Sequence, residues 1–141
     1  MALEKWLLLP VVLHIVMTFV IGVLMGRARF RGRAAGKFRK AEIINNSNAY
    51  PADIKKIGDN FNNQFQLPVS WYACVAFVMI TGTVDRMLVW LSWVFLGSRV
   101  MHTVNHIGAN TLPQRFYYYL IGFLALMVMW LWFALRHFVV G

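Results

Sequence analysis

A chain of 141 residues that is 60% hydrophobic and 13% charged, with a formal net charge of +9, lies far from the balance of an average soluble domain. A bilayer core about 30 Å thick takes roughly 20 apolar residues per helix, so four such segments nearly exhaust the length and exclude a separate soluble domain. The single cysteine, Cys74, excludes an intrachain disulfide framework and an all-cysteine metal site, and is expected to be a small core residue.

The pattern predicts an all-α integral membrane four-helix bundle in one domain, with helices over about 6–27, 59–82, 86–108 and 115–139 and a basic loop over about 28–58. The first segment opens with Glu4 and Lys5 and runs apolar from Trp6 to Met25 with no small-residue cleavage site after it, so it is expected to be retained. Along it Pro10, His14, Thr18, Gly22 and Gly26 recur every four residues, a slowly winding stripe of small or polar groups. Small residues let helices approach closely in lipid, so this stripe is expected to face protein, with His14 in a packing role.

Nine of the fourteen Lys and Arg residues follow before the second segment: Arg27, Arg29, Arg31, Arg33, Lys37, Arg39, Lys40, Lys55 and Lys56. The positive-inside rule makes this connection cytoplasmic and puts both termini outside, as expected for a bacterial inner membrane. Such a basic surface is expected to meet anionic membrane lipids rather than nucleic acid. Asn45, Asn46, Ser47, Asn48 and Pro51 interrupt any helix there.

The second and third segments are each half polar. Leu67 to Gly82 is preceded by Asp59, Asn60, Asn62, Asn63, Gln64 and Gln66, whereas Met87 to Gly97 is followed by Arg99, His102, Asn105, His106 and Asn110. As an antiparallel pair they bring both polar halves to one depth, at the end carrying the basic loop. Polar groups there must face protein or a water-filled cavity, so an enclosed site open to one side is expected. Asp59, Asn63, Gln66 and Ser70 share one face of a continuous helix, and Arg99, His102, His106 and Asn110 form a comparable face on the next; Phe61, Phe65 and Tyr72 point elsewhere. Amide groups, a fixed cation and titratable rings suit a polar, partly anionic ligand such as a small peptide.

Other chemistries fit less well. His102 and His106 are one turn apart, but no Glu stands between them as in a zinc-protease motif and no acidic third ligand is near, so no metal site is expected. Two histidines on one helix face cannot bind haem iron from opposite sides. In the last segment Tyr117, Tyr118, Tyr119, Trp130 and Trp132 are expected to form interfacial belts or subunit contacts, with Tyr119 a weaker ligand candidate.

The basic exit Arg27-Ala28-Arg29-Phe30-Arg31, the run Asn60-Phe61-Asn62-Asn63-Gln64-Phe65-Gln66-Leu67-Pro68, and Ser98-Arg99-Val100-Met101-His102 followed by His106 and Arg115 resemble, in order and placement, the MAPEG family of membrane-associated proteins in eicosanoid and glutathione metabolism. The resemblance spans nearly the whole chain and is to a bacterial-type member. It implies a homotrimer with glutathione, as substrate or cofactor, bound between subunits near the cytoplasmic side, and a transferase or peroxidase acting on lipophilic electrophiles. Arg115 then corresponds to the arginine that stabilises the glutathione thiolate, and Arg29, Asn63, Gln66, Arg99, His102 and His106 to substrate-binding positions. Gln66 stands where the family usually has Glu, Asp59 where it often has Arg, and His102 and His106 where well-studied members carry tyrosine. These departures leave open a noncatalytic scaffold or interaction subunit with the same fold.

Overall fold

The computed structural model describes residues 2–140, and no strand occurs among them. Helix α1 spans Leu3–Ala34, about 48 Å at 1.5 Å per residue, so it outruns a bilayer core. It passes its expected end by nearly two turns, because Arg and Ala are good helix formers. It stops where Gly36 adopts φ 69°; Gly36 N–H donates to Arg33 O and Lys37 N–H to Gly32 O, the left-handed cap that glycine favours. The four-residue stripe faces protein as expected: Pro10, His14 and Thr18 are buried, Gly22 and Gly26 half-buried. A Cβ on Gly22 would sit 3.1 Å from the Phe61 ring, which shows how closely the next element approaches.

The basic connection is more ordered than a loop. It holds one helical turn, α2 (Lys40–Ile43), a tighter turn at Ser47–Ala49, and α3 (Ala52–Asn63). The Arg29 guanidinium lies over the Tyr50 ring at 4.8 Å and ties this segment back to α1.

The helix expected over 59–82 is two helices, α3 and α4 (Leu67–Ile80), separated at residues 64–66. Pro68 lacks the N–H that would bond the Gln64 carbonyl, and its ring crowds that carbonyl. The chain relieves the break with a side chain: Gln64 Nε2 donates to Asn60 O at 2.9 Å, satisfying a carbonyl at the end of α3. Gln66 and Ser70 consequently leave the face that carries Asn63, and both are exposed.

Helix α5 (Arg86–Ile107) is capped by Asp85, whose carboxylate accepts from Leu88 N–H at 2.9 Å. It ends before Asn110, which adopts φ 53° in the short turn to α6 (Leu112–Leu135), so the polar face of α5 stops at His106. Helices α5 and α6 share the most extensive contact in the molecule. A Cβ on Gly122 of α6 would lie 2.5 Å from Ser98 Oγ, so glycine permits this approach. The core gathers Leu7, Trp71, Cys74, Phe95, Leu126 and Met129 from four helices.

Helices α1, α5 and α6 with its continuation to Val140 are each long and apolar enough to cross a membrane. At 14 residues α4 extends only about 21 Å, less than the roughly 30 Å of a bilayer core. Bulky apolar side chains cover the outside, as on Val16, Phe19, Trp90 and Leu131, so this is a multi-pass membrane protein.

Candidate functional site

The break between α3 and α4 brings Asn63 to the side of α5, one turn from the start of α6. There Asn63, His102, Arg115 and Tyr119 line a cavity of about 230 Å³, walled also by Leu112 and Phe116. Four residues singled out in the sequence therefore converge, Tyr119 among them as the weaker candidate.

Helix α5 supplies the floor. His102 is buried, and its Nδ1–H donates to Arg115 O at 3.1 Å, since a carbonyl only accepts. That bond sets the tautomer and leaves the Nε2 lone pair of the neutral ring without a partner among the described residues. Arg115 is steered by Asn110 Oδ1, which accepts from its Nη1 at 2.7 Å. The left-handed turn at Asn110 thus serves the site by aiming this guanidinium.

His106 lies one turn beyond His102, the two rings edge to face at 5.6 Å. Its Nδ1 accepts from Asn60 Nδ2 at 3.3 Å, with Asn63 Nδ2 at 3.5 Å. His106 is thus held by α3 behind the cavity instead of lining it.

Arg99 is 1% exposed, and its Nη2 donates to Asn63 O at 3.3 Å. Among the described residues the ion pairs are Lys37–Asp53, Lys55–Asp59 and Arg136–Asp85, so no carboxylate neutralises Arg99. Its Nε also lacks a partner. A buried guanidinium without a counter-charge is costly in a membrane. Asp59 does not supply that charge, because Lys55 holds it at 2.6 Å.

Two sequence candidates lie away from the cavity. Gln66 is exposed beyond the helix break, and Arg29 is on the opposite flank of α3, near Gly58 and Tyr50. Conversely, Asn60 and Gln64 are almost fully buried between α3 and α5, where Gln64 Nε2 also donates to Thr103 Oγ1 at 3.3 Å. Assuming an unbroken helix hid their role; Pro68 four residues after Gln64 was the signal for it.

The larger groove at the other end of the bundle, about 520 Å³ between Trp6, Trp90 and Trp93, has one cation, Arg86, and no convergent polar groups. The smaller cavity is therefore the better equipped for chemistry. No curated protein and no solved structure matches the chain. The model of the MAPEG family matches residues 7–135, and with its apolar helices and the motif order from Arg29 to Arg115 this chain belongs to the MAPEG family.

Proposed function

We propose that this protein is a glutathione-dependent transferase or peroxidase acting on lipophilic electrophiles that arrive through the bilayer. The observation that carries the reading is the convergence of Asn63, His102 and Arg115 on one cavity with uncompensated Arg99 behind it. Those groups fit an anionic peptide thiol. Arg115 offers positive charge to carboxylate or thiolate, with Arg99 adding to the local potential from behind; Asn63 offers an amide, and the His102 ring walls the cavity. Glutathione supplies the nucleophile as its thiolate, and the arginines favour that form by stabilising its charge.

The reading includes a homotrimer. A cavity of 230 Å³ falls below the roughly 300–1,000 Å³ usual for small-molecule sites, so a wall from a second subunit would complete it. Arg29 and Gln66, both off the cavity of their own protomer, are the residues a neighbour would contribute. Nine of the fourteen cations lie between Arg27 and Lys56, which supports a cytoplasmic placement of the site with both termini outside a bacterial inner membrane, and contact with anionic lipid there.

The test is calorimetric titration of detergent-solubilised protein with glutathione, beside the Gln66→Glu and Arg115→Ala variants, with turnover of an activated chloronitroarene measured in parallel. Binding and turnover by the natural protein are expected, with turnover lost in Arg115→Ala. Tighter binding by Gln66→Glu would support placing position 66 at a site shared between subunits. Absence of binding by both the natural protein and Gln66→Glu would overturn the enzyme reading in favour of a noncatalytic membrane scaffold.

A further inference from the structure

At the end of the bundle that carries the chain termini, α1 and α5 begin side by side and leave a groove of about 520 Å³ between them. Leu3 and Trp6 of α1 and Arg86, Val89, Trp90 and Trp93 of α5 line it. Leu3 and Arg86 are the first residues of their helices, and both helices are long and apolar enough to cross a membrane. The groove therefore lies where the hydrocarbon core gives way to the headgroups, the level at which tryptophan gathers. The two helices are tied together here: Trp93 Nε1 donates to Trp6 O at 3.2 Å, and the two indole rings lie 6.3 Å apart.

The groove offers a cation and hydrogen-bond donors, and no carboxylate. Arg86 is exposed and takes part in none of the ion pairs among the described residues, while its neighbour Asp85 is already held by Leu88 N–H, Trp132 Nε1 and Arg136. Of the six tryptophans, Trp71, Trp93, Trp130 and Trp132 donate their indole N–H to protein; among the described residues Trp6 and Trp90 do not. Glu4 stands in the same turn of α1 but does not line the groove.

These features select among the molecules a bilayer holds. The volume lies within the roughly 300–1,000 Å³ usual for small-molecule sites, and the aromatic and aliphatic walls suit an acyl chain. Trp90 is 73% exposed and Trp6 43%, so a chain can enter sideways. A guanidinium binds phosphate through two parallel hydrogen bonds, and indole N–H groups suit the ester and phosphate oxygens beside it. A choline or ethanolamine headgroup would bring its own cation toward Arg86 with no carboxylate in the groove to offset it. A headgroup of net negative charge is the better match.

We infer that the groove between α1 and α5 is a binding site for an anionic phospholipid of the adjoining leaflet, with its phosphate on Arg86 and one acyl chain against Trp6, Val89, Trp90 and Trp93. The groove is at the opposite end of the bundle from the nine cations between Arg27 and Lys56, and it shares no residue with the cavity of Asn63, His102 and Arg115. Its occupancy follows the lipid charge of the leaflet on the side of the termini and does not depend on glutathione.

The probes are a photoreactive phosphatidylglycerol and a photoreactive phosphatidylcholine with a diazirine at the same acyl position. Each is added at trace level to phosphatidylcholine vesicles holding the protein, and labelled peptides are mapped by mass spectrometry. Phosphatidylglycerol should label Leu3–Trp6 and Arg86–Trp93 about fivefold more than phosphatidylcholine, the preference one basic residue near a membrane surface provides. Arg86→Gln should make the two probes equal at the groove while the preference at Arg27–Lys56 persists. Because Arg86 is exposed, its unfolding midpoint in denaturant should match that of the natural protein. Trp90→Ala keeps the cation and removes a wall, and should lower labelling of the groove by both probes. Equal labelling of the natural protein by the two probes, a preference at the groove that survives Arg86→Gln, or labelling unchanged by Trp90→Ala would overturn the inference. So would no labelling of the groove by either probe, the outcome if a second copy of the chain covers it and sets Glu4 against Arg86.

Discussion

The two ends of the bundle treat buried polar groups differently. At the end with the chain termini and the α4–α5 turn, they are matched: Asp85 accepts from Leu88 N–H at 2.9 Å and from Trp132 Nε1 at 2.6 Å. From the middle of the bundle to the basic connection, His14 Nε2, Arg29 Nε, Gln64 Oε1, Arg99 Nε, His102 Nε2 and Asn105 Oδ1 are all buried without geometrically well-formed hydrogen bonds among the described residues. Unpaired polar atoms in a membrane interior are unfavourable, so their confinement to one part of the molecule marks the end where we propose the glutathione site.

That contrast breaks if a substitution at one end has the effect expected of the other. The largest effect belongs to Arg115→Ala, which is expected to lower glutathione-dependent turnover by about 10²-fold, the usual cost of removing one charge-stabilising donor, with little change in unfolding. Steady-state turnover of the chloronitroarene, compared with the unfolding midpoint, measures both. Asn63→Ala follows: it removes an amide from the cavity but keeps the backbone carbonyl that Arg99 contacts, so glutathione affinity should fall about tenfold by calorimetry while assembly is retained.

Asp85→Ala should behave in the opposite way. Loss of the helix cap and of the Trp132 contact is expected to cost about 1–2 kcal/mol in denaturant unfolding while leaving glutathione affinity and turnover unchanged. Altered turnover in this variant would show that the two ends are coupled and that the division is false.

The smallest effect lies at the surface. Lys37 Nζ donates to Asp53 at 2.6 Å, and this hydrogen bond holds the carboxyl below its ordinary value of 3.8. A carboxylate favoured in the folded state adds stability that is complete above that value and disappears as pH falls through the lowered one. Asp53→Asn should therefore flatten the acid side of the stability profile and change nothing at neutral pH beyond a slight loss, because both side chains are about half exposed.

Much of this was legible along the chain. The stripe from Pro10 to Gly26 lies inward because every fourth residue returns to nearly the same helix face, and small or polar groups gain nothing from lipid. The face carrying Arg99, His102 and His106 was equally readable. The face drawn through Asn63, Gln66 and Ser70 was not, because it assumed one helix where Pro68 imposes two.

By itself, then, the sequence determined the helical membrane class, the inward stripe of α1 and the polar half of α5, since apolar length, periodicity and charge bias are local properties. Only the tertiary structure decided which polar groups meet. The helix break turns Asn63 toward His102 and Arg115, hides Asn60 and Gln64, sends Gln66 outward, and sets His14 against Gln64 and Tyr72. Those pairings depend on the angle between two short helices and on close contacts such as Gly122 with Ser98, which no spacing along one chain segment encodes.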